Sequence, residues 1–374
     1  MIRTFRYPLI LNQQEKAGLD SIRLACQRLY NAALEQRISA YQKQKISLSR
    51  YDQYKQLTEL RAVDAKFDSI SNRILRSSLN RLDEAYSAFF RRVKAGQAPG
   101  FPRFKSQDRY SSFSFSLPII KDNLLRIPNF GKVRLNLYRP LRGKPLEAQI
   151  NKVGDRWVAS IVCDLGEAPP KVPVQNSIGI DVGLHKFATC SDGTEIDNPR
   201  FYRNSEVLLA ERQRKLARKK KGSTARKRAK SLVQKAHLHV RNQRVDFLRK
   251  LSKTLVSEFD LIAVEKLNIR KMVQSPKFSK SISDASWGQF TACLNFKAEE
   301  AGKTIVAVDP KNTSQNCSAC GKKVKKTLQD RTHSCTFCGY TTGRDLNASL
   351  NILALGLRAV SKPIPKGICL TEVQ

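Results

Sequence analysis

Four cysteines constrain this chain more tightly than any other feature of its sequence. Cys317-x-x-Cys320 is followed, 14 residues later, by Cys335-x-x-Cys338. Each pair makes one knuckle whose two thiolates turn toward a shared ion, and two knuckles close a tetrahedral sulfur site of the kind that holds one structural zinc. Redox pairs are the competing assignment, but the surrounding sequence lacks the thioredoxin-like pattern that such pairs require. His333, inside the same segment, is expected at the surface because four sulfurs already complete the site. Cys26, Cys163, Cys190, Cys293 and Cys369 are dispersed and are expected to be buried or idle thiols. The odd total of 9 points to metal in a reducing compartment rather than to disulfides.

Charge constrains the partner. The 374 residues carry 68 Lys and Arg against 32 Asp and Glu, a formal net charge of +36. So large an excess repels itself unless a polyanion neutralises it, and the phosphates of DNA or RNA are the usual polyanion. An ordinary metabolic enzyme is excluded as the default reading. With 41% hydrophobic residues the chain can still bury sizeable cores, and its length suits roughly two or three domains. No apolar run approaches the roughly 20 residues that cross a bilayer, and Met1 to Leu11 is broken by Arg3, Arg6 and Pro8 where a signal peptide would be apolar. No membrane partner and a cytosolic location are expected.

Between Gln13 and Lys94 apolar residues recur at helical spacing: Leu19, Ile22, Cys26, Leu29 and Ala33, then Ile70, Ile74, Leu75, Leu79, Leu82, Tyr86 and Phe89. This predicts a helical bundle ending at Gly96, with Arg23, Arg28, Arg73, Arg76, Arg81, Arg91 and Arg92 on a phosphate-facing side. From Gly100 the period changes to two, through Phe113, Phe115 and Leu117, Val133, Leu135 and Leu137, and Trp157, Ala159 and Ile161. An antiparallel sheet or small barrel follows, which Ile2 to Tyr7 can join. The helices then become an insertion within one β domain, and Pro169, Pro170 and Pro173 read as a linker.

Beyond the linker, the strand Ser177 to Val182, a hairpin, a long helical stretch, LIAVE at 261–265, a helix over Trp287 to Ala301 and TIVAVD at 304–309 make an α/β layout. Residues 201–250 hold 17 Lys and Arg opposed only by Glu206, Glu211 and Asp246. Lys221 to Thr224 reads as the turn of a basic helical hairpin, with Ala225, Ala229, Leu232, Val233, Ala236, Val240, Phe247, Leu251 and Leu255 as its packed stripe. Arg226, Lys227, Arg228 and Lys230 are the candidate nucleic-acid contacts, since like charges this dense gain most from an anionic partner.

Asp181, Glu265 and Asp345 form a second constellation. An acid ending an otherwise apolar strand is expensive to bury unless something charged compensates it. Two Mg²⁺ ions would do so, and such a pair can activate water and stabilise the leaving oxygen in phosphodiester cleavage. Asp309, before Pro310, is the competing fourth acid and is read as structural. His237 and His239 are two apart, face different helix sides and make poor metal partners. No phosphate-binding Gly loop is present.

The motifs GIDVGLHKFATCSDG around Asp181, VEKLNI around Glu265, SISDASWGQF at 281–290, VDPKNTSQNCSACG at 308–321 and RDLNASLNIL at 344–353 resemble the RuvC-like domain of the TnpB family. GFPRFK at 100–105 and the helical region add to the resemblance, which covers most of the chain. Lys266 stands where an Asp commonly follows the Glu, and Gly343 where an Asp often precedes Arg-Asp; neither removes an acid. TnpB is a transposon-encoded RNA-guided DNA endonuclease, long labelled a transposase and related to type V CRISPR effectors. The resemblance implies a multidomain α+β chain, with a wedge-like β-barrel from residues 1–12 plus 97–175 and a helical bundle inserted at 13–96. It further implies a RuvC/RNase H-like α/β domain at 176–374 carrying a zinc ribbon at 313–342. Asp181, Glu265 and Asp345 map onto the family's catalytic, magnesium-binding triad. The implied partners are a guide RNA from the transposon end and double-stranded target DNA beside a short motif, in the nucleoid of a bacterial cytosol. The competing functions are a nuclease-inactive guided repressor, which has no need of the three acids, and a transposase using an acidic triad for strand transfer.

Overall fold

The structure is a computed structural model that describes residues 1–327 and 330–361. Cys369 lies outside the described residues. The chain divides into two compact units, Met1–Glu167 and a second beginning at Ala168.

In the first unit, β1 (Ile2–Ile10) alternates buried and exposed residues and contributes Phe5 and Tyr7 to the core. Four helices precede the next strand: α1 (Gln13–Gln44), α2 (Arg50–Val63), α3 (Ala65–Asp68) and α4 (Asn72–Lys94). Asn12 with Glu15, and Ser49 with Asp52, form reciprocal capping boxes that start α1 and α2. Gly96, at φ +62°, follows the end of α4 in a left-handed conformation that costs a glycine nothing. The apolar stripes read from the sequence are the core: Leu19, Cys26, Ile74, Leu75, Leu79 and Leu82 are all buried.

The arginines of these helices correct the expectation of one phosphate-facing set. Arg23 is buried, pairs with Asp20 at 2.7 Å and donates to the carbonyls of Gln107 and Tyr110. Arg81 donates to the Ser112 carbonyl at 2.9 Å and lies over the Tyr110 ring. Both satisfy backbone acceptors that burial would otherwise orphan. Arg28, Arg73, Arg76 and Arg91 remain exposed.

The remaining strands of this unit are β2 (Ser112–Ser116), β3 (Ile119–Lys121), β4 (Leu124–Ile127), β5 (Gly131–Leu135), β6 (Lys144–Val153) and β7 (Arg156–Asp164). They join β1 in an antiparallel sheet of order β2-β6-β7-β1-β5-β4-β3. β1 changes partner along its length, pairing β7 from Ile2 to Pro8 and β5 at Leu9 and Ile10. Pro8, which has no N–H for a ladder, sits at that change. The sheet has two ends, β2 and the three-residue β3, and no pairing among the described residues joins them to close a barrel.

The second unit is built on a five-stranded sheet. Its strands are β8 (Ser177–Val182), β9 (Lys186–Cys190), β10 (Glu195–Asp197), β11 (Leu261–Glu265) and β12 (Thr304–Val308), in the order β10-β9-β8-β11-β12. β11 runs parallel to both β8 and β12, while β8, β9 and β10 pair antiparallel. Its helices are α5 (Phe201–Ala217), α6 (Thr224–Glu258), α7 (Ile269–Met272), α8 (Ser279–Ala285), α9 (Trp287–Ala301) and α10 (Arg344–Ser361), and a small hairpin is made by β13 (Thr332–Ser334) and β14 (Thr341–Gly343). Ile178, Ile180, Ile262 and Val264 pack with residues of α6 and α9. Leu261, Ala263 and Val308, on the alternate positions, pack with Ile352 of α10. The parallel strands are thus covered on both faces, which is why LIAVE reads as a continuous apolar run. Among the described residues no helix is long and apolar enough to cross a membrane.

α10 lies unusually close to the sheet. A Cβ on Gly179 would fall 2.2 Å from the Ser349 carbonyl oxygen, and one on Gly356 would fall 2.5 Å from the Ala263 Cβ. Gly179→Ala is therefore expected to destabilise the protein by about 2 kcal/mol, the usual scale of overpacking a tight contact. Gly343→Ala, whose new Cβ meets nothing within 4 Å, serves as the control. Thermal melts should show a clear drop for the first and almost none for the second; equal melting temperatures would refute the tight contact.

Candidate active site

The topology brings the three sequence-nominated acids to one cleft. Asp181 lies near the end of β8, Glu265 ends the neighbouring β11, and Asp345 is in the first turn of α10, packed against both strands. All three line a cavity of about 690 Å³ together with Lys326, Arg331 and Arg344. Burial pushes the Asp181 carboxyl well above the ordinary carboxylate range, and the charges of Glu265 and Asp345 push it further, with only Arg344 opposing. Burial also raises Glu265, against a 2.6 Å hydrogen bond donated by the Thr313 hydroxyl. Carboxylates that repel one another in a half-buried cleft make a site that a divalent cation would stabilise. Asp309 is exposed and accepts from the Lys311 N–H at 2.9 Å, so it closes its own turn.

Among the described residues, the group drawn together tightly enough to hold an ion as it stands is Cys317, Cys320, Cys335 and Cys338, whose sulfurs all lie within 4.8 Å of one another. Gly321 and Gly339 follow the second cysteine of each pair at φ +74° and +75° and donate their N–H groups back to the carbonyls of Cys317 and Cys335. Those left-handed turns are what aim both thiols of a pair at one point. His333 corrects the surface expectation: it is fully buried and contacts the Lys326 ammonium through Nδ1. Lys326 also donates to the Ser314 carbonyl at 3.3 Å, so the ribbon holds this cation where it lines the cleft.

Sequence reasoning missed the braces between ribbon and cleft. Asn347 is wholly buried, accepts from the Ser318 N–H at 2.9 Å and donates to the Asn316 carbonyl at 2.7 Å. Asn351, one turn later on α10, donates to the carbonyls of Thr313 and Asn316. The Asn-x-x-x-Asn spacing within NASLN was the available signal, since it puts both amides on one helix face. Asp284, in the SISDASWGQF stretch, is also buried: it accepts from the Tyr202 N–H with both oxygens and pairs with Arg244 at 2.7 Å.

The basic hairpin is α5 and α6, joined by a turn at Gly222, with Ser223 capping α6. Its packed stripe is shorter than expected: Ala236, Val240 and Leu255 are buried, whereas Leu232 is half exposed. Of the four nominated cations, Arg226 is committed to the fold, its guanidinium donating to the carbonyls of Leu216 and Lys219 at the end of α5. Lys227 and Arg228 are exposed, and Lys230 is half-buried.

The second unit thus carries acids at the ends of two adjacent central strands of a mixed sheet and on the helix packed against them. Residues 160–276 match the family model described as "Probable transposase", and residues 287–352 match that of a Cas12f1-like TNB domain. A Streptomyces pristinaespiralis protein named "Putative RNA-guided DNA endonuclease" is 31% identical over 371 residues, covering 96% of this chain and 90% of that protein. InsQ of Escherichia coli strain K12, which bears the same description, is 29% identical over 301 residues, covering 75% of this chain and 74% of that one. Among solved structures, the mini-RNA-guided endonuclease CRISPR-Cas_phi3 shares the fold at a TM-score of 0.50 and 10% identity, covering 98% of this chain and 93% of that one. The chain belongs to the TnpB family of RNA-guided DNA endonucleases.

The raised Asp181 carboxyl has a direct consequence for stability. Its folded value lies above the unfolded one, so the unfolded state releases its proton first and folding is penalised as pH rises through that window. Without added divalent metal, Asp181→Asn should melt higher than the unsubstituted protein at pH 7, with the difference vanishing below about pH 3, where both states are protonated. Magnesium should raise the melting temperature of the unsubstituted protein and leave the variant nearly unmoved. A variant that melts lower at neutral pH would show that Asp181 is compensated within the fold.

Proposed function

We propose that the chain cuts target DNA by metal-dependent phosphodiester hydrolysis at one RuvC-like site formed by Asp181, Glu265 and Asp345, guided by an RNA from the end of its own transposon. The observation that carries this reading is the convergence of three carboxylates, from two strands and a helix, on one cleft that also contains three cations. The donor set is hard oxygen, which fits Mg²⁺, whereas the four thiols fit zinc. Two Mg²⁺ ions bound by the acids would supply an activated water and stabilisation of the leaving oxygen.

The chain's own residues do the rest. Thr313 orients Glu265 through its hydroxyl. Lys326, Arg331 and Arg344 line the same cleft and would draw in the phosphodiester backbone. The zinc, held by Cys317, Cys320, Cys335 and Cys338, would keep Lys326 and the Asn316–Asn347 brace in place. Lys227, Arg228 and Lys230 on the hairpin would track phosphates of the RNA or of a double-stranded target marked by a short adjacent motif. A guided repressor would gain nothing from three mutually repelling acids, and their presence favours cleavage.

Replacing Asp181, Glu265 or Asp345 by alanine should each lower cleavage at least a hundredfold, on the order expected when a transition-state group is lost, while RNA and target binding stay near the unsubstituted level. Asp309→Ala should be mild. Cleavage within a few fold of normal for any triad variant would remove that residue from the site. Elemental analysis of protein purified without chelator should return about one zinc per chain, the number a four-sulfur site holds. Cys335→Ser should lose that zinc and increase hydrogen exchange across 344–351; a zinc-free parent, or unchanged exchange, would contradict the assignment.

A further inference from the structure

The ends of α1 and α4 and the GFPRFK segment enclose a second cavity, of about 710 Å³, that the nuclease chemistry does not use. Tyr41, Tyr86, Phe89, Phe90 and Phe101 line it together with aliphatic and polar residues such as Ile46 and Gln42. Tyr86 stacks on Phe90 with centroids 6.3 Å apart, and Phe101 meets both Tyr86 and Phe89 edge-on. Yet Tyr41 is 59% exposed, Phe90 60% and Phe101 47%, so these rings stay accessible to solvent instead of closing a core, with the Lys45 ammonium 5.3 Å from the centre of the Tyr41 ring. The segments that carry them also carry Lys43, Lys45, Arg91, Lys94 and Arg103, all exposed. The cavity's acid, Asp83, is paired with Arg37 at 3.2 Å. An apolar protein partner seated here would bury those cations without counter-charges.

We propose that this aromatic groove binds unpaired bases of the bound RNA, which stack on Tyr41, Phe90 and Phe101 while the flanking cations hold the phosphates. Exposed rings framed by positive charge are the chemistry of single-stranded nucleic-acid recognition, because every base has a π-face and every linkage a charge. The bases of a duplex are stacked on one another and cannot enter, whereas loops and bulges of a structured RNA splay theirs outward. The proposal rests on the RNA-guided reading above.

The test uses the full chain and, as probe, a labelled transcript of the RNA that copurifies with it. Tyr41→Ala with Phe90→Ala removes two exposed rings and should weaken binding at least fivefold. The slope of log affinity against log salt should not change, because no phosphate contact is lost. Tyr41→Phe with Phe90→Trp should restore affinity, which a merely structural role in folding would not require of exposed positions. Photo-crosslinking with 4-thiouridine in the transcript should give adducts on peptides 38–49 or 86–104. Unchanged affinity in the alanine variant, adducts only on other peptides, or a dimer that the variant dissociates would each overturn the proposal. An unsubstituted protein that carries no RNA would instead sink the functional reading itself.

Discussion

At Gly179 the backbone of β8 meets α10, and at Gly356 α10 meets Ala263 of β11, both more closely than a Cβ would permit. The position of α10 follows from that contact, and Asp345 rides on its first turn. Ile178 and Ile180 face the α6 and α9 side of the same sheet, so the glycine between them is the one residue of that stretch free to admit a helix on the opposite face. Parallel pairing of β8 with β11 then sets Asp181 beside Glu265 without any side-chain choice at all. The cleft is a product of backbone packing first and of carboxylates second.

What the packing creates is electrostatically unfavourable. Asp181 and Glu265 are both held above their ordinary range by burial, and Asp181 also by its neighbours. Such an arrangement persists because the fold around it is over-determined. The Asn347 and Asn351 amides tie α10 to the segment leading into the cysteine ribbon, and the ribbon returns Lys326 and Arg331 to the cleft. The four-sulfur cluster and one acid of the cleft, Asp345, thus share one short stretch of chain.

Much of this could be read from residues alone, for reasons that differ by element. LIAVE is a strand because a doubly covered parallel strand has nowhere to put a polar side chain until its end, and the acid at that end is what marks Glu265. The helical stripes from Leu19 to Leu82 were legible because burial enforces the 3.6-residue period. Charge was less informative. A run such as Arg226, Lys227, Arg228 looks uniform in sequence, yet Arg226 holds the carbonyls of Leu216 and Lys219 while its neighbours are exposed. Arg23 was hidden in the same way, since the two carbonyls it satisfies, those of Gln107 and Tyr110, lie more than eighty residues further along the chain. His333 was read as a surface residue and is buried against Lys326, and Asn347 went unread because its partners, Asn316 and Ser318, lie across the ribbon from it.

The central claim is that the three carboxylates form one divalent-metal site. A crystal of the full chain soaked in Mn²⁺, which shares the oxygen chemistry of Mg²⁺ and scatters anomalously, tests it most directly. The account predicts anomalous density bounded by the carboxylates of Asp181, Glu265 and Asp345, lost on Asp181→Asn. Density confined to other residues, such as Asp309, or no density in the cleft at saturating Mn²⁺, would contradict it.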